Sequence, residues 1–508
     1  MNKRKFYKIL SLFLTVMLFS GIVISCDTSI DNTGNNDDVN DVAENQNAQA
    51  NSEDEADNRV AYDVPELDCG GYVFKSLVRD HFMGKYWVTA DAYAEEETGE
   101  PFNDTVYHRN KLLENKFNIN IQEIRQEDVA SYAQRIIRAG SDDFDVLYPT
   151  MHGAAVMLQR GEIVNLYDVP HLNFDMTWWN KWINDSMTIG NKLYCAAGDT
   201  AFMTNDATVV ILFNKKLNED FGLTNPYQLV KEGKWIIDVL HENSRNATRD
   251  LNGDGVLTPE DQWGMINEPN FIYWFLTASG QKLIEKNAND LPELAINNER
   301  TISVLTKALD LLIDKTAIIM PNDYYGQYED VWQTIQLDLF ADNRALYGIN
   351  NMQGIRMLRS MEGDFGVLPL PKYDEAQERY YSVVQDYHAP VMCIPVTAGH
   401  FERTGAILEA WAAESFDVKK AYYEINLKGK YSRDDESEEM LDLIFSARVI
   451  DQGLVYNLGG TAADFFMGFV NRKNLDFSSQ YERTETRWIA SLEKIIEAIQ
   501  ENNENIRG

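Results

Sequence analysis

Phe144-Asp145-Val146-Leu147-Tyr148 is a short apolar run, interrupted by one acid, that reads as a short buried strand. The chain before it alternates in period. Gly71 to Val78 reads as a strand, Phe102 to Phe117 as a helix, Ile119 to Ile124 as a strand with alternating apolar positions, and Val129 to Ala139 as a helix. Strand, helix, strand, helix, strand is the order of a parallel α/β sheet, which takes ligands at the carboxyl ends of its strands.

Working outward, residues 67–508 are too many for a single core and predict two domains. The first covers about 67–205 with part of 390–508, and the second about 215–385 with the remaining C-terminal helices. A composition 44% apolar and 11% aromatic is that of a well-packed globular protein. The net charge of -34 argues against nucleic acid or an anionic lipid as partner. Apart from Cys26, the cysteines are Cys69, Cys195 and Cys393, so at most one disulfide forms among them, and each reads as a small buried hydrophobe.

The start of the chain reads as an export signal. Lys3, Arg4, Lys5 and Lys8 precede an almost wholly apolar stretch from Ile9 to Ile24, shorter than the roughly 20 residues needed to span a bilayer. Its end, Val23-Ile24-Ser25-Cys26, resembles a bacterial lipoprotein signal spanning 1–25. The resemblance implies lipidation of Cys26, with a palmitate-bearing anchor at the extracellular face of the membrane in a Gram-positive cell or in the periplasm of a Gram-negative one. Residues 27–58 hold ten acids and no base, too polar to order by burial, so 26–66 reads as an extended spacer.

Six pieces in order, the first of them made of two stretches, carry a second resemblance. Asp145-Val146-Leu147-Tyr148 is followed by Leu158-Gln159-Arg160-Gly161-Glu162-Ile163-Val164-Asn165-Leu166, then by Gly190-Asn191-Lys192-Leu193-Tyr194 and by Val210 to Leu217. Glu268-Pro269-Asn270-Phe271 leads to Ala278-Ser279-Gly280, Phe340 to Tyr347 follows, and Gly366-Val367-Leu368-Pro369-Leu370-Pro371 ends the series. In this order they resemble extracellular solute-binding proteins of the maltose-binding class, family 1 of those serving ABC transporters. Asn343 and Arg344 depart from the glycine-containing pattern of that class. The resemblance implies two α/β domains of the periplasmic-binding-protein type, joined by crossover strands that act as a hinge. It also implies a carbohydrate solute, expected to be an oligosaccharide, permease and ATPase subunits as partners, and a monomeric receptor.

A sugar offers hydroxyls and apolar faces, so its receptor needs aromatic platforms beside amides and carboxylates. Trp178, Trp179, Trp274, Tyr324 and Tyr325 supply platforms, whereas Trp182, Trp263 and Trp411 read as core. The resemblance adds His152 after the third strand, Asp206 before the crossover strand, Glu268 and Asn270 on the second-domain loop, and Asn350 and Asn351. It adds Tyr387 and His388 at the start of a second crossover strand ending near Ile394. Met352 stands where that class often has a stacking tryptophan.

Asp250-x-Asn252-x-Asp254-Gly255-x-x-Thr258-x-x-Asp261 has the spacing of a calcium loop, with the Val256 carbonyl at the seventh position. The ion, Ca2+, would brace the second domain. Asp261 is a shorter reach than the usual glutamate, and Glu260 stands beside it. The alternative for this spacing is a polar turn.

The rival class is an exported carbohydrate-active enzyme, a glycosidase or lyase, whose paired carboxylates a sequence does not place in space. No Gly-x-Ser-x-Gly elbow, His-Glu-x-x-His pair or phosphate loop is present, and the histidines lack zinc spacing. The expectation is a binding protein and not an enzyme.

Overall fold

The computed structural model describes residues 60–80, 87–358, 361–423 and 435–505, with side chains to residue 500. The export signal, Cys26 and most of the acidic spacer lie outside the described residues. Three strands, β1 (Tyr72–Arg79), β2 (Ile119–Gln126) and β3 (Val146–Leu147), form a parallel sheet in the order β2-β1-β3. The crossovers are the helices Pro101–Phe117 and Val129–Arg138. Glu100 and Asp128 cap them by accepting from Asn103 N–H and Ser131 N–H, and Pro101 opens the first helix where no N–H is needed. The alternating order read from the sequence is therefore the order observed. β3 is shorter than the run that marked it, because Asp145 turns aside to accept from the Tyr72 hydroxyl and the Lys75 N–H, both at 2.9 Å.

The second sheet has five strands in the order β10-β4-β9-β5-β8. They are β4 (Val209–Asn214), β5 (Trp263–Ile266), β8 (Ile318–Ile319), β9 (Ala345–Asn351) and β10 (Phe365–Leu368), with a hairpin of β6 (Ile284–Lys286) and β7 (Pro292–Leu294) apart from them. β4 runs antiparallel to both neighbours, while β5 is parallel to β8 and β9. Every residue of β4 is buried, which accounts for its unbroken apolar run.

Two of the passages between the sheets run side by side. Thr208 bridges Val384 at this point, and Gln385 N–H donates to the Ala207 carbonyl at 2.9 Å. Close to this crossing, β11 (Ser382–Val383) pairs in parallel with β12 (Arg448–Val449). Beyond it, Pro390, Met392 and Cys393 bridge Thr150, Ala196 and Leu147 beside the first sheet. The C-terminal helices divide between the two sides: Phe401–Ala413 packs on Pro101–Phe117 and Phe477–Asn505 on Met151–Gln159, whereas Ala462–Arg472 packs on Phe271–Ala278.

Trp263 and Trp411 are buried as expected of core residues, at 3% and 0% exposure. Trp182 is the exception at 60%, since the helix Lys181–Met187 turns Ile183, Asn184 and Met187 inward and leaves Trp182 to the Arg379 guanidinium, 5.6 Å from its ring. Cys69, Cys195 and Cys393 are free thiols. No helix among the described residues is long and apolar enough to cross a membrane.

Candidate functional site

The carboxyl ends of β5 and β9, parallel neighbours in the second sheet, open onto a cavity of about 420 Å³. β5 leads into Asn267 and Glu268, then into the helix Phe271–Ala278, whose Tyr273 and Trp274 line the cavity. β9 ends in Asn350 and Asn351, both lining residues, and Asn351 caps the helix Met352–Met357 by accepting from Gly354 N–H at 3.1 Å. Gly354 is required here: a Cβ would fall 1.8 Å from Asn350 Oδ1. Opposite, the crossing segment contributes Gln385 to His388, the stretch after β1 contributes Trp87, and the helix Ala462–Arg472 contributes Asp464 and Met467. Trp332 and Gln336 close the remaining wall.

Two rings are set in place by stacking. His388 lies on Trp87 with centroids 4.3 Å apart and planes 5° apart. Tyr387 lies on His152 at 4.5 Å and 24°. His152 itself donates through Nδ1 to the Val455 carbonyl at 3.1 Å and lines a neighbouring cavity of about 480 Å³, to which Tyr387 also belongs.

Two carboxyls of the main cavity are displaced from ordinary behaviour. Glu268 is pushed up to about 8 by burial, against one hydrogen bond from Asn270 Nδ2 at 3.3 Å. Asp386 is pushed up to about 7 by burial, with Asp451 adding to the rise. His388 is driven down to about 3 by burial and by the nearby Arg79 charge. Near neutral pH the site therefore holds a neutral imidazole at His388 and carboxyls that keep part of their protons at Glu268 and Asp386.

Of the residues singled out in the sequence, Glu268, Asn270, Trp274, Asn350, Asn351, Tyr387 and His388 share this cavity. His152 stands next to it. Tyr325 is 58% exposed and meets Trp332 edge-on at 6.5 Å, and Tyr324 meets Tyr328 at 6.4 Å. Asp206 is buried elsewhere, bonded to the Arg356 guanidinium and accepting from the Tyr422 hydroxyl at 2.7 Å. Trp178 and Trp179 are also elsewhere: both indole N–H groups donate to the Glu409 carboxylate at 3.0 Å. Sequence reading passed over Trp87, Tyr273, Gln336, Gln385 and Asp386. Asp386, beside Tyr387, was the findable one, as an acid next to an aromatic in a crossing segment.

The loop with calcium spacing forms a chain of turns. Asp250 accepts from Gly253 and Gly255 N–H at 2.7 Å, Asn252 from Asp254 at 2.9 Å, and Asp254 from Val256 at 2.8 Å. Asp261, fully buried, accepts from Leu251 at 2.9 Å and Thr258 at 2.8 Å. The donor set is all oxygen and so suits a hard cation. Its carboxylates are nonetheless turned to their own backbone, and among the described residues no group of three or more His, Cys, Asp or Glu is gathered to hold a metal.

No protein-family model matches the chain, and no curated protein matches it in sequence. In structure it is similar to the ABC substrate-binding protein Lmo0181 from Listeria monocytogenes, solved in complex with cycloalternan, at 14% identity and a TM-score of 0.50 over 86% of this chain and 99% of that one. It is similar to UspC from M. tuberculosis at 13% identity and a TM-score of 0.53, over 83% and 100%. It is also similar to an ABC transporter solute-binding protein from Thermotoga lettingae, bound with α-D-tagatose, at 14% identity and 0.51 over 84% and 100%. The chain has the two-domain α/β fold of these solute-binding proteins.

Proposed function

We propose that the protein is a solute-binding receptor that captures a carbohydrate between its two lobes and passes it to an ABC-type importer of permease and ATPase subunits. The observation that carries this reading is the cavity: aromatic walls from Trp87, Trp274 and Trp332 stand beside Glu268, Asn270, Asn350 and Asn351, at strand ends where such folds bind ligands. The similar proteins solved with cycloalternan and α-D-tagatose support a sugar as solute. Binding would draw the lobes together about the crossing at Thr208 and Val384. The test is a carbohydrate panel read by melting temperature, followed by chemical recovery of the ligand. A sugar that stabilises the protein and returns unchanged is expected, and turnover would establish the enzyme instead.

Two further features belong to this reading. Lipidation of Cys26 would tether the receptor outside the cell, supported by the apolar run that precedes it. Cys26→Ser should release the protein from the membrane fraction, and equal fractionation of both forms would remove the anchor. Ca2+ in the Asp250–Asp261 loop is supported by the oxygen donors and their spacing. A chelator should lower the melting temperature of calcium-treated protein and leave that of Asp254→Ala unchanged. Superimposable curves for the native chain would exclude the ion.

A further inference from the structure

The cavity offers acceptors in excess. Its lining includes the carboxyls of Glu268, Asp386 and Asp464 and, among the described residues, no lysine or arginine. Gln336 donates through Nε2 to the Ile349 carbonyl, which fixes its Oε1 as the free end, buried with no donor. Asp386 Oδ2 and Gln385 Oε1 are likewise buried with no donor, and both Gln336 and Gln385 are more than nine-tenths buried.

The surroundings supply little compensation. Asp451, preceding the helix Gln452–Val455, raises Asp386 further, and Asp464 from the helix Ala462–Arg472 adds a third acid. The remaining titratable neighbours are the phenols of Tyr273, Tyr325 and Tyr387 and the neutral imidazole of His388. Arg79, on β1, donates to the His388 carbonyl and lines the neighbouring cavity. A buried carboxylate with no partner takes up either a proton or a cation. A neutral sugar brings hydroxyl donors but no charge to displace the proton. An ammonium group brings both charge and N–H donors, and the faces of Trp274 and Trp332 attract it as well. The chain's net charge of -34 favours the approach of a cation.

Resting on the reading of the solute as a carbohydrate, we propose that it is a sugar bearing a protonated amine, whose ammonium is taken by the Glu268 and Asp386 carboxylates with Gln336 Oε1 as a further acceptor. Capture of the amine favours the ionised carboxylate over the protonated acid, so affinity rises with pH up to the point where the amine itself loses its charge.

The experiment is titration calorimetry near neutral pH with short glucosamine oligosaccharides, their N-acetylated forms, neutral glucose oligosaccharides of the same linkage, and putrescine. The amine sugars should bind at least about tenfold more tightly than their neutral counterparts. Glu268→Gln and Asp386→Asn, checked for folding by their melting curves, should bring that ratio close to one. Neutral or N-acetylated sugars that bind as tightly as the amines would overturn this inference and leave the carbohydrate receptor standing. Putrescine bound with no sugar bound would overturn the carbohydrate reading and this inference with it, as would an absence of binding in every arm.

Discussion

Buried acids occur in two settings in this molecule. In the packed interior three are answered by several groups: Asp206 by Arg356 and the Tyr422 hydroxyl, Asp145 by Arg403 at 3.3 Å and the Tyr72 hydroxyl, and Glu409 by the two indoles of Trp178 and Trp179. In the cavity, Glu268 meets one amide and Asp386 has an oxygen with no donor. The tryptophans divide in the same way, with Trp178 and Trp179 spending their N–H groups on Glu409 while Trp274 and Trp332 line the cavity. Interiors satisfy their polar groups because an orphaned one costs about 1–3 kcal/mol. A site can leave acceptors open because a ligand will satisfy them. Residue type alone does not separate the two settings; the partner does.

The largest effect should follow from orphaning an interior acid. Arg356→Met leaves Asp206 buried without its cation and should destabilise the protein by about 3 kcal/mol, measured by denaturant unfolding. A loss no greater than that of an ordinary surface substitution would erase the distinction between the two settings. Trp178→Phe removes one of the two indole donors to Glu409 and should cost about 1–2 kcal/mol of stability with no change in ligand affinity.

The cavity should respond in the opposite sense. Tyr387 is 43% exposed, so Tyr387→Ala should leave the melting temperature nearly unchanged and weaken sugar binding by about 1 kcal/mol through loss of its aromatic face. Tyr387 is the better probe than Trp274, whose ring is 4% exposed and would take core packing with it.

A further effect concerns pH. Folded Glu268 keeps its proton up to about pH 8, whereas the unfolded carboxyl releases it near 4.5. The folded state thus binds more protons between those values, and the stability of the unliganded protein falls as pH rises through that window. Glu268→Gln should flatten this slope, read as melting temperature against pH. A parallel slope in the variant would place the titration elsewhere.

Much of the fold was legible because it follows from local pattern. The apolar runs at 71–78, 119–124 and 144–148, separated by helical stretches, are strands of one parallel sheet. The continuous run at Val210 to Phe213 is the fully buried β4. The site was legible only in part. Glu268, Asn270, Asn350, Asn351, Tyr387 and His388 stand at ends of strands or in a crossing segment, positions that a strand pattern and a family resemblance together mark. Trp87, Gln336 and Gln385 have no local signal, since nothing in their flanking residues tells a cavity wall from a core.

The sequence by itself determined the alternation of strand and helix, the surplus of acid, and the apolar faces that must be buried, because these depend on periodicity and composition within a few turns of chain. Only the tertiary structure decided which acids and aromatics stay unanswered. Arg356 reaches Asp206 from 150 residues away, Glu409 reaches Trp178 from 231, and among the described residues no comparable group arrives at Glu268 or Asp386. Such long-range pairing is set by how the two sheets and the C-terminal helices pack, and it is this pairing that separates a structural carboxylate from one left open to a solute.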